Sequence, residues 1–208
     1  WVTGVQTCAL PISYKVAGAK TKAVGVLGDS TFFHSGITSL MDAVYNQSDS
    51  ISVILDNRIT GMTGHQQNPG TGFTLMGKPA PEVDIPALVK AVGIKEENIY
   101  TVNPLHLDEV DKVLDACIAS EEPTVIITRW PCVLKKFSQQ DLDEFKGLHQ
   151  TQCHIIQDKC RNCKACVRTG CPALMSSKDD VVIDVNSCVG CTVCKQVCPF
   201  DAIEEVQR

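Results

Sequence analysis

The sequence predicts an α/β fold, a parallel-sheet domain followed by a small cysteine-rich domain. Three observations carry that expectation. Short apolar runs alternate with segments of helical periodicity from Lys22 to Trp130, and strand–helix–strand repetition at these lengths builds a parallel sheet covered on both faces. Eight of the twelve cysteines then crowd between Cys160 and Cys198, with Cys8, Cys117, Cys132 and Cys153 scattered. Between these regions, residues 133–152 are polar and mixed, as a linker would be.

The elements follow in order. AVGVLG (23–28) is an apolar run ending at glycine, suited to a buried parallel strand. SGITSLMDAVYNQ places Ile37, Leu40, Met41 and Val44 at helical spacing. SVILD (52–56) is the next buried strand, and NRITGMTGHQQNPGTG runs on without periodicity. A structureless loop of that size inside a compact domain is usually functional or disordered. DIPALVKAVG (84–93) has Asp84 as a candidate N-cap and a proline early in the helix. IYTVN (99–103) reads as a strand, HLDEVDKVLDACIASE as an amphipathic helix, and TVIITRW (124–130) as the closing strand.

Composition narrows the functional classes. A net charge of −5 argues against a general nucleic-acid or anionic-membrane surface, and no apolar run approaches a membrane span. Cysteine density alone would also suit a secreted disulfide scaffold. Repeated C-x2-C spacing after about 150 residues of α/β pattern points instead to metal thiolates in a reducing, cytoplasmic compartment.

The tail is an internal repeat. Cys160, Cys163 and Cys166 stand at x2 spacing, and Cys171 follows after four residues, before Pro172. Cys188, Cys191 and Cys194 repeat the spacing, with Cys198 after three residues, before Pro199. Zinc is the competing use of C-x2-C pairs, but it takes four ligands, usually as two pairs. Three close cysteines and a distant fourth before proline is the arrangement of a 4Fe–4S site. The pair of units resembles a two-cluster ferredoxin, in which the fourth cysteine of each run ligates the other cluster. That resemblance implies Cys160, Cys163, Cys166 and Cys198 around one cluster, and Cys188, Cys191, Cys194 and Cys171 around the other. The longer gap before Cys171 then lies between clusters, with Gly170 nearby to absorb a turn. Cys153 reads as a small buried hydrophobe, and His149 and His154 as linker surface.

The front of the chain carries a second motif. Gly28-Asp29-Ser30 follows one buried strand directly, and Asp56-Asn57 ends the next. Ligands bind outside the carboxyl ends of parallel strands. An Asp and an Asn from adjacent ends can hold one Mg²⁺, which clamps a diphosphate against backbone N–H groups. This resembles the thiamine-diphosphate motif, GDG followed at that same interval by NN, with Ser30 in place of glycine and Asp56 in place of the first asparagine. The resemblance implies Asp29 and Asn57 as metal side chains, the Ile59 carbonyl as a further oxygen, and Gly28, Ser30 and Thr63 among the cofactor-binding residues. His34 and His65 are candidates for bonding phosphate or a substrate carboxylate; the alternative for each is a polar loop residue without ligand contact.

Taken together, GDSTFFHSGI, ILDNRITGMTGHQ and the fused two-cluster tail resemble the 2-oxoacid:ferredoxin oxidoreductases over residues 14–208, nearest to the alpha subunit of the branch that oxidises indolepyruvate. The resemblance implies oxidative decarboxylation of an aryl pyruvate to acyl-CoA. Its cofactors would be thiamine diphosphate, Mg²⁺ and two 4Fe–4S clusters, and its partners a 2-oxoacid, coenzyme A, an external ferredoxin and a beta subunit. The alternatives are another 2-oxoacid oxidoreductase of this kind, or a non-catalytic electron-transfer module. The opening string WVTGVQTCALPIS (1–13) resembles a sequencing adapter read as coding sequence and is set aside. Residues 14–132 are then a partial thiamine-diphosphate domain, and the chain is expected to bind clusters but not to turn over alone.

Overall fold

The computed structural model describes residues 13–208 except 15, 147 and 149. Most of the opening string and His149 therefore lie outside the described residues. Two compact units are present: one runs to Pro104 and resumes at Asp108–Lys136, and the other comprises Leu105–Leu107 and Phe137–Arg208.

The first unit is built on a parallel sheet. Strand β1 (Val24–Gly28) leads into a continuous helical run: Asp29–Thr31, a π-helical stretch Phe32–Gly36, and helix α1 (Ile37–Tyr45). Then come β2 (Ile51–Asp56), α2 (Ile85–Ala91), β3 (Ile99–Val102), α3 (Leu107–Ala119) and β4 (Thr124–Arg129). Sheet order is β1-β2-β4-β3, and every pair is parallel. Successive side chains of a strand point to opposite faces, and the packing follows that period of two. Leu27, Ile54, Val125 and Ile127 pack with Phe32, Leu40, Ile85 and Val89 on one face. Ile51 and Ile126 pack with Val102 and Cys117 on the other, against Val110, Val113 and Leu114 of α3. Asp84 stands at the N-cap of α2, but its side chain makes no capping bond.

The register matters most for the site. Gly28 pairs with Leu55, and Asp56 pairs with Arg129. Asp29, Asp56 and Arg129 therefore stand in a row where β1, β2 and β4 end.

The stretch after β2 has structure of its own. Thr60 bridges Gln66 and Phe73 bridges Pro79. Val83 N–H donates to the Pro69 carbonyl, and Arg58 pairs with Glu82 at 2.7 Å. These contacts fold residues 59–83 back on themselves without regular periodicity, which is why hydropathy alone shows only a loop.

In the second unit, β5 (Thr151–Ile155) pairs antiparallel with β8 (Ile203–Gln207), and β6 (Leu174–Ser176) with β7 (Val181–Ile183). Short helix α5 spans Val193–Gln196. The polar stretch 133–152 holds helix α4 (Gln139–Glu144), whose Ser138 and Asp141 form a reciprocal capping box. His154 is half-buried in β5, opposite Glu204. The core of this unit is rich in thiols: Cys153, Cys166, Cys188 and Cys194 are buried with Ala173, Leu174, Val181 and Ile203. Among the described residues no helix is long and apolar enough to cross a membrane.

Candidate functional site

Asp29 is the first helical residue after β1 and is buried, 3% exposed. Burial is the largest influence on its carboxyl and raises its pKa, and the charge of Asp56 pushes the same way. Hydrogen bonds from Asn68 and Ser30 oppose both effects. Asp29 Oδ1 accepts from the Ser30 N–H at 2.6 Å and from the Ser30 hydroxyl at 3.2 Å. Its Oδ2 accepts from Asn68 Nδ2 at 3.0 Å. Asp56, equally buried, accepts from Arg129 Nε at 2.7 Å and from the Arg58 N–H at 3.3 Å.

Two neighbouring buried carboxylates with one guanidinium leave net negative charge at these strand ends. A divalent cation with hard oxygen ligands would compensate that charge, so the donor set fits Mg²⁺. Asn57 is half-buried beside Asp56, and its Oδ1 accepts the Ile59 N–H at 3.1 Å, which turns the chain back at the buried Ile59. The Trp130 and Cys132 N–H groups donate to the Asp56 and Asn57 carbonyls, continuing the β2–β4 pairing beyond the strands.

The remaining sequence candidates are more peripheral. Gly28 ends β1, and a Cβ there would meet nothing within 4 Å. Thr63 is exposed, and its hydroxyl bonds Gln66 at 3.0 Å. His34 is exposed in the π-helical stretch. His65 is exposed at φ 58, with its Nε2 4.0 Å from Cys132 Sγ.

Three residues that sequence reasoning passed over belong to the same constellation: Asn68, Thr60 and Arg129. Thr60 Oγ1 lies 2.8 Å from Ser30 Oγ. Arg129 had a legible signal, a cation at one strand end opposite an anion at another, but only to a reader who knew the strand order. Asn68 sits in an Asn-Pro-Gly stretch, a composition common in plain turns.

In the second unit one pocket is lined by Cys160, Cys163, Cys166 and Cys198, with Ile155, Arg161 and Phe200 among its other walls. The remaining four cysteines stand together elsewhere. The Cys191 thiol is raised chiefly by burial, with the Cys171, Cys153 and Cys188 thiols beside it. Cys194 is raised by its bond to Cys153, by burial, and by Cys191 and Cys188. Cys153 is buried in the apolar cluster, as expected of a small hydrophobe. Its N–H donates to Cys188 Sγ at 3.3 Å, and its bond with the Cys194 thiol draws its pKa down to about 7. Cys198 Sγ accepts the Ala202 N–H at 3.4 Å. Backbone N–H groups aimed at sulfur stabilise thiolates, so both sets suit iron–sulfur ligation. Among the described residues, no three His, Cys, Asp or Glu side chains converge to hold a single metal ion.

Residues 3–128 match the family described as thiamine pyrophosphate enzyme, C-terminal TPP binding domain. The chain belongs to that family. Residues 181–204 match the 4Fe-4S binding domain. The chain is similar to indolepyruvate oxidoreductase subunit IorA of Archaeoglobus fulgidus, 40% identical over 88% of this chain and 28% of that one. It is likewise similar to IorA of Methanothermobacter thermautotrophicus, 36% identical over 90% of this chain and 29% of that one. It thus spans less than a third of the length of these relatives. Among solved structures, it shares a fold with a 2-oxoglutarate:ferredoxin oxidoreductase from Magnetococcus marinus, with a TM-score of 0.57 at 15% identity, over 67% of this chain and 50% of that one.

Proposed function

We propose that this chain serves in oxidative decarboxylation of a 2-oxoacid, an aryl pyruvate such as indolepyruvate, with the acyl group passed to coenzyme A and the electrons to an external ferredoxin. One observation carries the reading: a single chain joins buried carboxylates at adjacent parallel strand ends to two sets of four cysteines. Asp29 and Asn57 would hold Mg²⁺, with the Ile59 carbonyl as a third oxygen and Gly28, Ser30 and Thr63 near the diphosphate. Cys160, Cys163, Cys166 and Cys198 would hold one 4Fe–4S cluster, and Cys188, Cys191, Cys194 and Cys171 the other. Thiamine diphosphate supplies an electron sink for decarboxylation, and iron–sulfur centres supply one-electron transfer.

The protein's own contribution is positional and electrostatic. The β1 and β2 ends present oxygen donors from a rigid sheet, and burial disfavours an uncompensated charge on Asp29, which a bound cation would offset. Arg129 pairs with Asp56 at 2.7 Å, so Asp29 would be the one carboxylate left to meet a bound cation. His34 and His65, both exposed, are the candidates for meeting the substrate carboxylate or phosphate. A beta subunit and the reducing cytoplasm complete the reading.

The test uses the intact enzyme. Replacing Asp29 or Asn57 with alanine should abolish Mg²⁺-dependent thiamine-diphosphate binding and turnover; survival of both would favour a non-catalytic electron-transfer module. Rates with indolepyruvate, phenylpyruvate and pyruvate distinguish the substrate. Anaerobic analysis should return iron and acid-labile sulfide, and zinc alone would end the cluster reading.

A further inference from the structure

We infer that Asn68 is a positioning residue for the Asp29 carboxylate, and that Ser30 and Thr60 join it in a polar latch holding the 59–83 segment to the turn after β1. The inference rests on the reading of Asp29 as a cation ligand and names the group that aims it.

Asn68 is distant in sequence but only 6% exposed. Its amide uses both N–H bonds, one to Asp29 Oδ2 at 3.0 Å and one to Ser30 Oγ at 3.0 Å. Its Oδ1 accepts the Gly70 N–H at 3.0 Å. Those three bonds fix the amide's orientation, since a flip would set oxygen against a carboxylate oxygen and N–H against N–H. The Asn68 carbonyl in turn accepts from the Thr71 hydroxyl at 2.8 Å and the Thr71 N–H at 3.1 Å, so the backbone carrying the amide is itself held.

The carboxylate is consequently held from both sides, with Ser30 on Oδ1 and Asn68 on Oδ2. A carboxylate bonded at both oxygens keeps one plane and offers its remaining lone pairs in fixed directions. Groups that bond a metal's ligands in this way typically set affinity by 10- to 100-fold.

Ser30 now has a reason to depart from the glycine of the thiamine motif. Its hydroxyl accepts from Asn68, lies 2.8 Å from Thr60 Oγ1, and reaches Asp29. Glycine there would leave Asn68 bonded to Asp29 but would free Thr60. The latch therefore separates into two functions: Asn68 aims the carboxylate, and Ser30 with Thr60 anchors the segment.

The experiment is a Mg²⁺ titration of thiamine-diphosphate binding by calorimetry on the intact enzyme, with cluster absorbance and iron content as folding controls. Asn68→Ala should weaken Mg²⁺ binding about 10- to 100-fold, and saturating Mg²⁺ should restore turnover. Ser30→Gly should weaken Mg²⁺ binding less than Asn68→Ala does, because the Asn68–Asp29 bond survives; an equal loss in the two variants would overturn the division of roles. If Asn68→Ala folds poorly, Asn68→Ser still accepts the Gly70 N–H but cannot bridge to Asp29, and the same loss is expected. Unchanged Mg²⁺ affinity in the Asn68 variants overturns the inference, as does a defect that excess Mg²⁺ does not rescue. Asp29→Ala keeps the two failures apart. If that variant also binds Mg²⁺ normally, the metal-site reading itself is wrong; if it alone loses binding, only the role of Asn68 is.

Discussion

At the scale of single residues, each of the two departures from the thiamine motif meets a polar partner, Ser30 at Thr60 and Asp56 at Arg129. Asp56 stands where the motif has asparagine, and Arg129 on the neighbouring strand end meets it at 2.7 Å with both groups largely shielded. Removing one partner of such a pair strands the other charge. Arg129→Met should therefore lower the stability of the α/β unit by about 3 kcal/mol, measured by urea denaturation. Adding Asp56→Asn should recover most of that loss, because no charge is then left unpaired. Asp29 and Asn57 were legible in the sequence because each follows a strand directly, and strand ends are local features. Arg129 and Asn68 were not. The first depends on β4 lying beside β2, and the second on a fold-back within an aperiodic loop; neither is written in local pattern.

Single elements show a similar contrast at two glycines of the cysteine loops. Gly170, at φ 74, ends the short 3-10 turn Val167–Thr169, and a Cβ there would meet nothing within 4 Å. The turn that carries the chain to the late Cys171 is thus in open space. Gly170→Ala should cost only the left-handed backbone penalty, about 1 kcal/mol, and leave iron content unchanged. Gly190, at φ 71 between Cys188 and Cys191, is different, since a Cβ there would run into the Thr151 carbonyl and side chain. Gly190→Ala must displace β5 or the loop, and the purified protein should carry less iron per chain than wild type. The sequence reading anticipated the Gly170 turn from the spacing of the cysteines. It had no means of seeing Gly190, because the obstacle lies on a strand about forty residues away. Helix α4 was hidden for another reason: its Ser-x-x-Asp box is visible in the sequence, but the surrounding polarity reads as linker.

Across the whole molecule, the two units differ in what fills their interiors. The first is packed with Ile, Val, Leu and Phe on both faces of a sheet, a pattern that alternating apolar runs make plain in advance. The second buries Cys153 in its main cluster with Cys166, Cys188 and Cys194, three of the proposed cluster ligands. Metal binding to such a domain contributes directly to its folding free energy. Thermal unfolding should accordingly resolve into two transitions. Anaerobic iron chelation should lower the transition of the cysteine-rich unit and leave that of the α/β unit in place; a single transition shifting as a whole would contradict this.

The grouping of thiols has one more consequence, and it concerns assembly. Cys198 lines a pocket with Cys160, Cys163 and Cys166, while Cys171 stands by Cys191. On the proposed ligation each loop would lend a sulfur to its neighbour, so neither set of four would be complete until both loops had come together. Iron delivery to this chain should then be cooperative, with half-loaded molecules scarce at every stage of titration and the population divided between empty and full.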